Sequence, residues 1–480
     1  MIDTLGRTSP LRTGLLILAA LVVGLAAITH QSLWMDEGSG AFKALMPTLK
    51  EWWTMTLTLG GSDVQMPVYM FLLWCWAKVG ALSEYALRCI NLPWLILMVF
   101  ALRRVRFWPL VCLTSPFVLY YVGELRPYTM QMACGAMAAA AFGNLIAHRD
   151  HEGFKGLHEA AAAALLLACS SLTAAVWAAG VALGVAMLRP DWLRRGGFWL
   201  RLTPWAAGAF LLGGYYLFTL LQGYRAASME KASILSVGFG FYELLGLMGL
   251  GPGRNELRAS PTAALSHLHL LVPAALCIGG AWIAGFRNWT KSTPIRSVAA
   301  VACAVLVPIF ILTVVGFVQD FRVLGRHMSP AVPAVLLPIA GAFSLTGRAA
   351  RRGLLLGGSA VLFMTASSIT LRFLERHARD DYRRATGICI ESLKQGKTVW
   401  WQADMNATRY YAYRQGGIPM VNAIQILESE PPSGFMFADV VVINRPDFRY
   451  PGGNHRAELK RNSFENAGTF TGFEVWKTNY

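Results

Sequence analysis

A succession of apolar runs, each near the length that crosses a lipid bilayer, constrains this chain more than any other feature. A spanning helix needs about 20 apolar residues, fewer where its ends are buried in protein. Runs of this kind read at 11–28, 87–102, 107–122, 127–147, 157–170, 172–188, 201–222, 264–286, 297–317, 329–346 and 353–371. Between them stand short basic clusters: Arg103-Arg104-Val105-Arg106, Arg194-Arg195, Arg287 to Arg296 and Arg348 to Arg352. Such clusters hold their loops in the cytoplasm. Backbone inside lipid must satisfy its own hydrogen bonds, and no stretch shows the weaker alternation of a membrane β-barrel. The expected fold is therefore mainly α, a polytopic helical membrane protein with about 11 transmembrane helices plus juxtamembrane helices.

Composition agrees and excludes other classes. The chain is 55 % hydrophobic and 15 % charged, against about 25 % charged in soluble domains, with mean hydropathy +0.43. The net charge of +16 sits in clusters between apolar runs, so it reads as topology and not as a nucleic-acid surface. The eight cysteines are scattered singly, mostly inside apolar runs, with no zinc or haem spacing. The first run lacks a small-residue cleavage site before Trp34, so it reads as a retained span.

Arg7 and Arg12 precede the first run and place the N-terminus in the cytoplasm, so Asp36 and Glu37 emerge outside. In a bacterium that side is the periplasm and the membrane is the inner one. Pro67 to Leu82 is apolar enough to cross, but a crossing there would put Arg103–Arg106, His148 to Lys155 and Arg189 to Arg201 outside. The positive-inside bias makes it a re-entrant or juxtamembrane helix within an outer loop of 30–86. In that loop, 39–60 is amphipathic, carries Trp52-Trp53 and suits a helix lying at the interface. The transmembrane domain spans 1–372. Residues 373–480 read as a small soluble periplasmic α/β domain, with strands at Thr398–Gln402, Asp439–Asn444 and Phe473–Lys477 and a helix over Ala403 to Gly416. Asn406-Ala407-Thr408 fits the N-glycosylation pattern, which means nothing in a bacterium.

Four places on the outer side concentrate charge at the membrane boundary: Asp36-Glu37, Ser62 to Tyr69, Gly123 to Tyr128, and Asp320 through Arg326-His327. The bland alternative pairs Glu124 with Arg126 and Asp320 with Arg322 as solvated boundary charges. Polar groups at this depth usually face a cavity, and the other side of the membrane is almost purely basic. A carboxylate deprotonates or orients a nucleophile. Arginine holds a phosphate and offsets charge developing on it. These residue types point to a membrane enzyme handling an anionic, lipid-linked donor.

The motifs carry a resemblance. Leu33-Trp34-Met35-Asp36-Glu37, Asp63 to Tyr69, Leu82 to Arg88, Glu124-Leu125-Arg126-Pro127-Tyr128 and Arg326 to Pro333, in that order, resemble the integral-membrane glycosyltransferases of the C-type fold. The closest likeness is to protein O-mannosyltransferases and lipid A aminoarabinose transferases. It covers the N-terminal third and the segment near residue 326; Met66, Gln65 and His327 depart from the usual proline, histidine or lysine, and tyrosine. The resemblance implies inverting transfer of a sugar from a polyprenyl phosphate to a lipid, glycan or protein acceptor at the periplasmic face. It makes Asp36 the general base, with Glu37 beside it and Asp63 and Glu124 lining the same cavity as catalytic candidates. Arg88, Arg126 and Arg326 become candidates for the donor phosphate, and Gln65, Tyr69, Tyr128 and His327 join the substrate-binding set. Glu37 has a second reading as a helix cap, and Tyr128, like Trp52 and Trp53, has packing as its alternative. Arg225, Lys231 and the Gly251–Arg258 loop are candidates for a lid. A divalent metal, Mg or Mn, is compatible with the carboxylates but not required by them. The main rival is a transporter or flippase of lipid-linked sugars, which predicts inverted repeats; no second copy of the Asp36 or Glu124 pattern occurs in 240–370. A ligase or polymerase of surface polysaccharide is a further rival, but the 223–263 loop contains no histidine.

Overall fold

The computed structural model describes residues 9–478 apart from 149–153, 155, 225–232, 254–255, 258–259, 417–437, 447–449 and 451–452. Arg225, Lys231, Arg254 and Arg258, which fall in the lid candidates, lie outside the described residues.

The chain opens with α1 (Pro10–Ala27), capped by the Ser9 side chain and started by Pro10. The outer loop that follows folds into α2 (Met35–Ala44), α3 (Leu49–Leu59) and α4 (Pro67–Lys78). Thr48 and Glu51 form a capping box for α3. α4 is 12 residues long, about 18 Å at 1.5 Å per residue, short of the roughly 30 Å hydrocarbon core. Trp52 of α3 packs against Phe71 and Trp74 of α4 at 6.0 and 6.3 Å between ring centroids.

The membrane part continues with α5 (Glu84–Arg88), α6 (Leu92–Leu102), α7 (Trp108–Thr114), α8 (Pro116–Val122), α9 (Tyr128–Ala147), α10 (Leu157–Ser170), α11 (Leu172–Leu188) and α12 (Gly196–Leu221). After α13 (Ile234–Leu244) come α14 (Leu268–Ser292), α15 (Ile295–Val318), α16 (Val332–Ala342) and α17 (Ala350–Phe373). All eleven expected spans are helical. Among the described residues, seven helices are long and apolar enough to cross a membrane by length and composition. The other four runs form shorter helices. Residues 107–122 break at Ser115-Pro116, where proline lacks an N–H and forces Ser115 to an extended ψ of 123°. Large apolar side chains stand exposed along the long helices, such as Leu11 at 75 %, Phe210 at 81 % and Phe310 at 69 %. Water would not tolerate such a belt, whereas lipid covers it. The chain is a multi-pass membrane protein.

Past α17 lie α18 (Tyr382–Lys394), β1 (Val399–Gln402), α19 (Met405–Gly416), β2 (Val440–Asn444), α20 (Asn454–Arg461), β3 (Phe464–Phe470) and β4 (Phe473–Thr478). The sheet runs β1-β2-β4-β3, with β1 and β2 parallel and the other pairs antiparallel. Three strands and α19 stand where the sequence predicts them. β3 was not expected, because its faces read Glu465, Asn466, Gly468 and Thr469, largely polar. α19 packs directly on α2: a Cβ on Gly38 would lie 2.2 Å from the Ala407 Cα, so the two helices meet only because Gly38 has no side chain. The sheet-bearing region thus rests on the helix that carries Asp36.

Candidate active site

α2 begins with two carboxylates in its first turn, where the positive end of the helix dipole favours them. A helical step of 100° sends the two in different directions. Asp36 faces a cavity of about 440 Å³ whose walls include Gln65, Arg126, Tyr128, Arg326 and His327. Its Oδ2 accepts from Arg326 Nη1 at 3.2 Å, and its side chain keeps 29 % of its surface accessible. The other candidate carboxylates, Glu37, Asp63 and Glu124, are buried at 0, 3 and 0 %. Of the four, Asp36 is the one a ligand reaches.

Glu37 turns inward. Its Oε1 accepts from Arg88 Nε at 3.0 Å and Leu125 N at 2.7 Å, and its Oε2 accepts from Arg88 Nη2 at 2.9 Å and from Arg379. It also caps its own helix through the Trp34 N–H. Burial alone would raise the Glu37 pKa, but Arg379 and Arg88 outweigh it and lower it from 4.5 to about 2. Arg88 has no donor to spare for a phosphate. Its Nη1 bonds Thr29 O and Gln31 O at 2.9 and 2.7 Å, and Nη2 bonds Ser32 O at 3.2 Å. Neither residue lines the cavity. The pair expected among catalytic and donor-binding groups is instead a buried brace that fixes residues 29–32 and the first turn of α2. The helix-cap reading of Glu37 is the one its geometry fits.

Asp63 is likewise committed. Lys43 Nζ and Ser39 Oγ donate to its Oδ2 at 2.7 and 2.6 Å, and Arg126 Nη1 to its Oδ1. Burial pushes its carboxyl up, but Lys43 and Arg126 hold it well below the usual carboxylate range. What Asp63 achieves is to aim Arg126. With Nη2 on Ser62 Oγ at 2.7 Å and Nη1 also on Asp36 O at 3.2 Å, that guanidinium is held rigidly at the cavity wall. Glu124 lies under the wall, its backbone carbonyl held by Asn91 Nδ2 at 2.6 Å. Tyr69 is fully buried behind the site, its hydroxyl 3.4 Å from Asn91 Oδ1. Asp63, Glu124 and Tyr69 therefore stand outside the cavity surface on which they were expected.

Gln65 donates to Tyr224 O at 2.8 Å, while its buried Oε1 has no hydrogen-bond partner among the described residues. His327 accepts from Leu324 N at 3.0 Å through Nδ1, which assigns the ring proton to Nε2. Burial, then Arg326 and Arg322, push its imidazole well below the usual range, so it is a neutral donor. Tyr128 lines the cavity and packs edge-on against Tyr121 at 4.9 Å between ring centroids. Nearby hydroxyls form a chain in which Ser329 Oγ donates to Gln131 Oε1 at 2.6 Å and Gln131 Nε2 to Ser171 Oγ at 3.0 Å. Arginines, amide, imidazole and hydroxyls around one carboxylate make a site for an anionic, hydroxylated ligand. They do not fit a divalent metal. Asp36, Asp63 and Glu37 each face a basic side chain, and among the described residues no three His, Cys, Asp or Glu side chains converge.

Sequence reasoning passed over several residues that shape the site. Lys43 stands seven residues after Asp36, two helical turns on and on the same face, so spacing offered a signal. Arg379 lies in a basic stretch read only as the start of a soluble domain. Glu243, a lone acid in an apolar segment, accepts from Gly325 N at 2.9 Å and pins the segment that carries Arg326. Tyr411 of α19 accepts from Leu33 N at 2.7 Å, ahead of the site helix.

No family model matches the chain, and no curated protein matches it in sequence. Among solved structures it is similar to ArnT from Cupriavidus metallidurans in the apo state, with TM-score 0.55 and 13 % identity over 96 % of this chain and 97 % of that one. The same protein bound to undecaprenyl phosphate gives TM-score 0.52 and 11 % identity over the same shares, 96 % and 97 %. At such identities the likeness concerns the fold alone, and it extends across membrane helices and C-terminal sheet together. The chain has, over nearly its whole length, the fold of the C-type family of integral-membrane glycosyltransferases.

Proposed function

We propose that this chain is an inverting glycosyltransferase that moves a sugar from a polyprenyl-phosphate donor to an acceptor hydroxyl or amine. The observation that carries the reading is the pairing of the accessible Asp36 with Arg326 and Arg126 across one cavity. The C-type fold supports it, as does the binding of undecaprenyl phosphate by ArnT. Arg326 and Arg126 receive the donor phosphate, drawing Arg326 off Asp36. The freed carboxylate accepts the proton of the acceptor nucleophile, which attacks the sugar carbon on the face opposite the phosphate. The carbon–oxygen bond to phosphate breaks, and its electron pair leaves on the polyprenyl phosphate, whose charge the two arginines offset. Nε2 of His327 and Oε1 of Gln65 meet sugar hydroxyls in this reading.

In this reading residues 1–372 form the catalytic domain of a bacterial inner-membrane enzyme with a cytoplasmic N-terminus. Residues 373–480 form a periplasmic domain that braces the site loop. Arg383 N donates to Ser32 Oγ at 3.1 Å and Arg379 reaches Glu37 from that side. The sugar is a hexose or pentose and the acceptor a glycolipid, envelope polysaccharide or protein. The test is Asp36→Asn in membranes supplied with a polyprenyl-phosphate sugar, read as transfer of labelled sugar. Transfer at the wild-type rate would overturn the assignment of the base.

A further inference from the structure

A larger cleft, about 1060 Å³, opens at the other end of the membrane helices, beside the basic turn at Arg103–Arg106. It shares no lining residue with the charged cavity. Its surface is almost wholly hydrocarbon. On α9 the small side chains of Ala138, Ala139 and Gly143 leave the recess, and Trp177 and Trp289 close its sides. Along α9 it runs from Gly135 to Ile146, about 17 Å at 1.5 Å per residue, or roughly half of a 30 Å hydrocarbon core. The cleft is one leaflet deep.

Its two ends differ. The inner end is shut by backbone, since a Cβ on Gly135 would lie 2.0 Å from Pro330 O. At the mouth Arg104 is the one charged side chain among the described lining residues, and it is exposed, its Nη1 donating to Asn144 Oδ1 at 2.8 Å. Hydrocarbon walls with a single fixed cation at head-group depth suit a lipid chain that ends in an anion. Arg12 Nη2 caps the Arg106 carbonyl at 2.8 Å, which keeps this basic turn in place at the mouth.

We infer that this cleft seats an acyl chain of an anionic glycerophospholipid from the leaflet opposite the charged cavity, with the lipid phosphate on Arg104. The depth of one leaflet selects a bilayer lipid, and the lone arginine selects an anionic head group. The backbone seal at Gly135 and Pro330 separates this lipid from any donor whose phosphate must reach Arg326. The assignment is independent of sugar transfer and stands or falls without it.

Two variants of the full chain test it in nanodiscs of phosphatidylcholine doped with phosphatidylglycerol, with bound lipid read by native mass spectrometry. Nothing lies within 4 Å of a Cβ on Gly143, so Gly143→Leu fills the cleft without a clash at its first carbon. Arg104→Glu changes an exposed side chain, leaving folding intact while reversing the charge at the mouth. The wild type is expected to retain one phosphatidylglycerol, and each variant to hold it at least about tenfold more weakly, a difference of some 1.4 kcal/mol. Equal retention by wild type and Gly143→Leu overturns the seat. Unchanged preference for phosphatidylglycerol in Arg104→Glu overturns the phosphate contact. Recovery of a polyprenyl phosphate, instead of phosphatidylglycerol, as the lipid lost from Gly143→Leu overturns the choice of occupant.

Discussion

The front and back of one helical turn hold neighbouring carboxylates in opposite states. Asp36, on the cavity side of α2, has a partner at 3.2 Å and 29 % of its side chain accessible. Glu37, on the protein side, is fully buried and takes hydrogen bonds from Arg88, Arg379, Leu125 and its own helix cap. An acid that must accept a proton during a reaction has to be reachable and exchangeable. One that must hold two segments together has to be saturated. Adjacent residues meet both demands because a helix turns them apart, so an accessible carboxylate and a bracing one share a single turn.

The contrast breaks most sharply at Asp36. Asp36→Asn is expected to lower the transfer rate by about 10²- to 10⁴-fold, the usual share of a positioned base, while the thermal midpoint of the purified protein stays put. A comparable fall in that midpoint would move Asp36 to the structural side. Glu37→Gln should do the reverse. It leaves the buried Arg88 and Arg379 uncompensated and should destabilise by about 3–5 kcal/mol, read as a lower unfolding midpoint and reduced yield. A Glu37→Gln protein of normal stability that has lost transfer would instead make Glu37 a reacting group.

Acid should separate the faces a second way. The folded Glu37 carboxyl sits at about 2, below its ordinary 4.5. A lowered folded pKa means the stabilisation is whole above the ordinary value and drains away as pH falls toward the folded one. Stability in detergent, followed by tryptophan fluorescence, should decline between pH 4.5 and about 2, and Glu37→Gln should flatten that slope. The smallest effect belongs to the brace from the C-terminal region. Tyr411→Phe removes the acceptor of the Leu33 N–H and should cost about 1–3 kcal/mol, with a rise in KM larger than any fall in kcat if the loop is merely loosened. An unchanged midpoint in this variant would show that α19 does not hold the site loop.

Much of this architecture was open to reading without coordinates. Apolar run length marked the seven described helices long enough to cross a membrane, because lipid imposes the same demand on each stretch of backbone wherever it sits in the fold. The strands at Val399–Gln402 and Val440–Asn444 were legible for a similar reason, being buried apolar runs bounded by polar turns. Charge at the ends of apolar runs picked out Asp36, Arg126 and Arg326, which share one cavity, since a polar group at that depth needs a reason to be there. The polar strand at Phe464–Phe470 escaped because Glu465 and Asn466, on opposite faces, are both exposed and leave no period of two to read.

Which charged residue meets ligand and which meets another charged residue was a different matter. Glu37, Asp63 and Arg88 belong to the same motifs as Asp36 and Arg126, and their side-chain chemistry is identical in type. Their roles depend on partners far along the chain: Arg379 for Glu37, Lys43 for Asp63, and the carbonyls of residues 29–32 for Arg88. The sequence by itself determined a helical membrane protein with acids and arginines gathered at one face, because hydropathy and charge act residue by residue. Only the tertiary structure decided that Asp36 is left reachable, because saturation of a carboxylate is a property of every donor packed around it, and those donors converge only when the chain is folded.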